Sequence, residues 1–212
     1  EERQAEPERR TDHGVDVLRP ALSAGAIDAT YIGPNPSINT FIQSRGESAR
    51  IIAGAATGGA ALVVRDGIDS AEDLRGKTLA TPQLGNTQDV ALRGWLKEQG
   101  FETDTSGGGD VTITPTENAQ TFQLFKDGQL DGAWLPEPWV SRLVVDAGAK
   151  VLVDEADEWP DGQFPTTVLL VRKDFLDQHP ETVSKLIAGH EASVKWIADN
   201  AGGAASVIKA QI

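Results

Sequence analysis

From residue 15 onward, short apolar runs alternate with stretches in which apolar residues recur every three or four positions. The short runs read as strands at 29–32, 50–53, 60–64, 78–80, 111–114, 132–135, 150–153 and 166–171. The periodic stretches predict helices at 36–43, 87–99, 118–126, 139–147 and 180–200. Such alternation is the signature of an α/β fold. Helix 87–99 is the most sharply bounded. Asn86 or Thr87 caps it, Asp89 stands in its first turn, Ala91 pairs with Trp95 and Leu92 with Leu96, and Gly100 ends it. Helix 180–200 opens on Pro180 and gathers Val183, Leu186, Ile187, Val194 and Ile197 on one side, so it too is expected to pack on a sheet. Trp95, Trp134 and Trp196 are expected in the core.

An internal echo adds organisation. Residues 25–34 (GAIDATYIGP) align without gaps to 128–137 (GQLDGAWLPE) at an offset of 103. Gly25 meets Gly128, Asp28 meets Asp131, Tyr31 meets Trp134, and each copy runs into a proline turn, PNP and then PEP. One unit of helix, glycine, short strand, proline turn and helix is used twice, which predicts two related lobes. In such a unit a strand's carboxyl end and the next helix's amino end meet at one place.

Composition narrows the function. With 19 basic and 32 acidic side chains the formal charge is −13, which excludes a nucleic-acid partner held by net charge. Cysteine is absent, removing thiol nucleophiles, disulfides and thiolate metal sites. The histidines, His13, His179 and His190, form no ligand pair, so no metal is expected. No run is long enough to span a membrane, and the first thirteen residues carry no hydrophobic signal core. Methionine is missing even at position 1, so the chain is expected to be a processed or truncated piece, with any export signal outside it.

The candidate chemistry lies at turns. Gly85, Asn86, Thr87 and Gln88 follow a strand and open a helix, leaving backbone N–H groups beside hydroxyl and amide side chains as donors for an anion. Asn35 and Ser37 stand likewise before helix 36–43. Thr57, Gly58 and Gly59 form a turn where backbone can approach a ligand closely. Glu137 and Trp139 offer a carboxylate and an apolar wall at a strand exit. Each group also has a plain structural reading, as helix cap, chain reversal or proline turn. No Gly-x-Ser-x-Gly elbow, phosphate loop or dinucleotide fingerprint occurs, so no enzyme and no cofactor is indicated.

The segments AGAIDATYIGPNPSI, RIIAGAATGGAALVV, DLRGKTLATPQLGNTQDVALRGWL and DGAWLPEPWVSRLV resemble the solute-binding proteins of ABC importers for nitrate, taurine and aliphatic sulfonates. The resemblance runs from about 18 to 200. It implies a two-lobed type II periplasmic-binding-protein fold with the ligand in the cleft between lobes. Lobe one is expected at 14–64 with 166–212, lobe two at 65–165, with crossings near 63–66 and 164–167 and a polar extension at 1–13. Lobe one is expected to lack the first strand-helix-strand unit of the family. The resemblance further implies capture of a small anionic solute, an aliphatic sulfonate before nitrate or taurine, by a monomeric extracytoplasmic protein that delivers it to ABC permease subunits. The alternatives are a ligand-sensing regulatory module and a binding-incompetent fragment of the same fold. The related thiamine-pyrimidine synthase needs a cysteine motif that this chain does not have.

Overall fold

The computed structural model describes residues 20–211. The extension 1–13, His13 and the first residues of lobe one, 14–19, lie outside them. Among the described residues eight strands form two sheets. The smaller has the order β1 (Ala29–Ile32), β8 (Pro165–Arg172), β2 (Ala49–Thr57). The larger has the order β5 (Thr112–Pro115), β4 (Thr78–Thr81), β6 (Gly132–Pro136), β3 (Ala60–Val64), β7 (Lys150–Asp154). Around them lie α1 (Pro34–Gln43), α2 (Thr87–Glu98), α3 (Asn118–Lys126), α4 (Trp139–Ala147), α5 (Lys173–Gln178), α6 (Pro180–Asp199) and α7 (Ala201–Gln211). The architecture is the two-lobed α/β arrangement.

The echo is a structural repeat. β1 pairs antiparallel with β8 from Ala29↔Val171 to Ile32↔Val168, and β6 with β3 from Gly132↔Val64 to Leu135↔Ala61. The offset of 103 therefore holds through the register. Residues 37–46 and 140–149 show the same succession of buried and exposed positions. Gly25 and Gly128 both take positive φ, 72° and 80°, which favours glycine before each strand. The repeat even includes an arginine. Arg172 donates its amide to the Asp28 carbonyl and Arg65 to the Asp131 carbonyl, at 2.8 and 2.9 Å. Their side chains then differ. Arg172 pairs with the Asp28 carboxylate at 2.7 Å, whereas Arg65 bonds the Leu130 carbonyl at 2.6 Å and the Phe125 carbonyl at the end of α3.

The repeats diverge at one edge. β4 lies parallel to β6 with Leu79↔Gly132 and Ala80↔Ala133, but the matching edge of β1 has no partner strand among the described residues. In lobe two, β3 is buried along its whole length, and Leu62, Val64, Leu79, Leu92, Trp95, Leu96 and Trp134 form the core between the sheet and α2.

Three expectations are corrected. The division placed 60–64 in lobe one, yet β3 pairs with β6 and β7, so the outward crossing is at Gly58 and Gly59 instead of 63–66. An all-apolar strand needs cover on both faces, which the interior of the larger sheet gives it. Trp196 is 46% exposed instead of core. The apolar side of α6 packs only in its first half. Val183 is buried, and His190 meets the Gly54 carbonyl of β2 at 2.8 Å and the Tyr31 hydroxyl at 3.0 Å, while Val194 and Ile197 are exposed. A carbonyl can only accept, so Nε2 of His190 donates there, while the tyrosine hydroxyl, donor and acceptor both, bonds Nδ1.

Candidate functional site

A hollow of about 170 Å3 lies where the two sheets face each other. It is lined by Gly33 and Pro36 from the start of α1, Asn86, Thr87 and Gln88 from the start of α2, Pro136 from the end of β6, and Thr166 and Thr167 from β8. The βα turns of both repeats thus meet a strand that runs between the lobes. Among the described residues no charged side chain lines it.

The amino end of α2 is built from its own sequence. Asn86 takes an extended conformation and its side chain accepts from the Asp89 amide at 2.8 Å, so it is the cap. The Asp89 carboxylate lies beneath the turn, accepting from the Thr81 hydroxyl and the Gly85 amide at 2.9 Å each and pairing with Arg93 at 3.0 Å. Gly85's amide is therefore already taken. The amides of Thr87 and Gln88 keep no acceptor among the described residues. Asn86, Thr87 and Gln88 are 7, 8 and 6% exposed, and the Thr87 hydroxyl is buried without a partner among the described residues. A buried hydroxyl without a partner costs roughly 1–3 kcal/mol, which a ligand accepting from it recovers.

The other expected residues divide. Ser37 is buried and donates to the Gly33 carbonyl at 2.9 Å, serving α1 itself. Asn35 stands in the first turn of α1 between two prolines, which have no amide hydrogen to give. Thr57 lines a separate hollow between β2 and α6, with Ile187 and His190. Gly58 and Gly59 make the crossing itself, with φ of 72° and 70°, held by Gly58 N–H to the Phe164 carbonyl at 3.0 Å and by the Thr166 hydroxyl on the Gly58 carbonyl. Glu137 caps α4, accepting from the Ser141 amide at 3.1 Å and hydroxyl at 2.9 Å. Trp139 turns to Phe122, 6.4 Å between ring centroids, and Arg142. The turns that carry Gly33, Pro36 and Pro136 were expected near the site through their other residues, whereas Thr166 and Thr167 were not singled out as ligand residues. The polar pair Thr166 and Thr167 at the start of an otherwise apolar strand is a local signal that could have found them.

Outside the hollow, Glu155 is buried at 2% exposure and its carboxyl is held above the ordinary value of 4.5. Burial raises it, and hydrogen bonds from the Trp134 and Trp159 indoles partly oppose the rise. Among the described residues no cluster of histidine, aspartate and glutamate can hold a metal, and no helix is long and apolar enough to cross a membrane.

A family model described as the NMT1-like family matches residues 7–211. The taurine-binding periplasmic protein of Escherichia coli K12 is 31% identical over 175 residues, 82% of this chain and 52% of that protein. The alkanesulfonate-binding protein SsuA from Xanthomonas axonopodis pv. citri, solved bound to MOPS, superposes with a TM-score of 0.72 at 20% identity, covering 88% of this chain and 62% of that one. The periplasmic nitrate-binding protein NrtA from Synechocystis PCC 6803 gives 0.73 at 20%, covering 88% and 53%. At these identities the solved structures establish the fold. The chain spans about half the length of the taurine-binding relative.

Proposed function

The chain belongs to the NMT1-like family, and from that premise we propose that it is the solute-binding component of an ABC importer, taking a small oxyanion into the hollow between its lobes. The observation that carries this reading is the amino end of α2, where two free amides and the unpartnered Thr87 hydroxyl converge beside Thr166 and Thr167. A helix amino end attracts negative charge and supplies the N–H groups to bind it.

The lining also selects among anions. With no cationic side chain among the described lining residues, a dianion would enter the hollow under-compensated, and burying such charge is expensive. A monoanion with charge spread over several oxygens needs only neutral donors. An aliphatic sulfonate is the leading ligand, with nitrate and taurine next, in keeping with what the relatives are named for. Hydrogen bonds to a charged group contribute about 1.5–3 kcal/mol each. Four of them set against an ordering cost of about 4–15 kcal/mol agree with micromolar binding, on the order of −8 kcal/mol. The net charge of −13 opposes approach from afar, but salt screens it beyond about 8 Å.

The protein would act outside the cytoplasm and hand its solute to permease subunits. Titration calorimetry with methanesulfonate, taurine and nitrate tests the reading. Heat with at least one of them, lost in Thr87→Ala, supports it. Silence with all three on folded protein refutes it.

A further inference from the structure

Gly33 ends β1 in lobe one and precedes α1 with φ −65° and ψ 155°. Any L-residue adopts that conformation, so the backbone does not demand glycine there. Space does. A β-carbon at 33 would lie 2.3 Å from the Thr87 hydroxyl oxygen and 3.4 Å from the Thr87 β-carbon. Thr87 belongs to the other lobe, and its hydroxyl is one of the buried polar groups without a partner among the described residues. The second lobe therefore presses into the one volume that an ordinary side chain would fill.

We infer that Gly33 is a closure-setting residue of the cleft: the absence of its β-carbon lets the amino end of α2 come to rest against the exit of β1. Ordinary contact between such atoms is about 3.5 Å, so an alanine at 33 either turns the Thr87 hydroxyl away about its side-chain torsion or sets the jaws apart by about 1 Å at this point. That gap is enough to separate donors on α2 from an anion that lobe one and β8 hold in place, because hydrogen bonds weaken beyond about 3.2 Å. The pivot for this movement is the Gly58–Gly59 crossing, which has two successive residues at positive φ and no atom near the position of a Gly58 β-carbon.

The consequence for affinity rests on the proposed cleft, but the position of the jaws does not. The chain has no cysteine, so Glu181→Cys in lobe one and Glu98→Cys in lobe two, both exposed, carry a unique pair of spin labels. Gly33→Ala is expected to leave melting nearly unchanged and to lengthen the mean label distance by about 1 Å or more. In a Thr87→Ala background the same substitution is expected to have no effect on the distance, since the obstructing oxygen is gone. With methanesulfonate as probe, Gly33→Ala should raise Kd at least tenfold. An unchanged distance, or a lengthening that persists without the Thr87 hydroxyl, overturns the inference even if methanesulfonate binds. Failure of methanesulfonate to bind counts against the proposed ligand, and the distance shift then decides the role of Gly33 alone.

Discussion

Trp134 and Tyr31 hold matching places in the two repeats, yet Trp134 is 1% exposed and Tyr31 50%. Trp134 is covered by Trp95 of α2, with ring centroids 6.2 Å apart, and donates to Glu155 at 2.7 Å. In lobe one, Tyr31 meets His190 of α6, with ring centroids 5.7 Å apart, a contact that leaves half of it exposed. The same sequence unit therefore gives a core residue in one lobe and a surface residue in the other.

Trp95→Ala is expected to cost about 3–5 kcal/mol, because it opens a cavity against Trp134. Tyr31→Ala, half-exposed, should cost about 1 kcal/mol through its bond to His190. Urea midpoints measure both. Comparable losses would contradict the assigned difference in burial.

Asn86 and Thr87 are neighbours with opposite duties. Asn86→Ala removes a helix cap and should lower stability by about 0.5–2 kcal/mol as well as weaken anion binding. Thr87→Ala removes a hydroxyl without a partner, so melting should hold or rise slightly while binding falls. Calorimetry and thermal melts on the two variants separate cap from ligand donor. A clear loss of stability in Thr87→Ala would show that its hydroxyl has a structural role.

Glu137→Ala tests whether this carboxylate belongs to the ligand. Its bonds to Ser141 make it a cap for α4, so the variant should lose about 1 kcal/mol of stability. Anion affinity should stay within a factor of about two, less than the effect of one hydrogen bond. A tenfold change in Kd with unaltered melting would restore Glu137 to the site.

Glu155 predicts a pH dependence. Its folded pKa is raised by burial, and the neighbouring Asp154 charge adds to the rise. The folded state then binds its proton more tightly than the unfolded chain, so stability is greatest below the unfolded value near 4.5 and falls as pH climbs through the raised folded value. Glu155→Gln keeps an acceptor for the Trp134 indole and removes the titration. The wild-type protein should therefore lose ground to this variant as pH increases, read from melts at a series of pH values. A gap independent of pH would mean that Glu155 does not titrate differently on folding.

Several features were legible in the residues themselves. The apolar periodicity located α2, and Asn86 marked its start, because caps and apolar faces are local in sequence. The echo located two like lobes, since Gly25 and Gly128 each turn the chain at positive φ into a strand entry. Other elements were not legible. The extension of β2 to Thr57 runs through AGAAT, weak strand formers that hold their place by pairing with β8. α7 opens on Ala201 and two glycines, a poor helix start in isolation. Ser37, Glu137 and Trp139 looked like ligand residues by their place at turns, but only their contacts showed that Ser37 and Glu137 serve their own helices and Trp139 packs on Phe122.

The sequence by itself determined the alternation of elements, the duplication and the chemistry of the turns, because these depend on neighbours within a few bonds along the chain. Tertiary structure alone decided which sheet β3 joins, that Thr166 and Thr167 face the start of α2, and that Gly33 lies against Thr87. These pairings join residues dozens of positions apart, and the shape of two packed lobes, which no local pattern encodes, sets their distances.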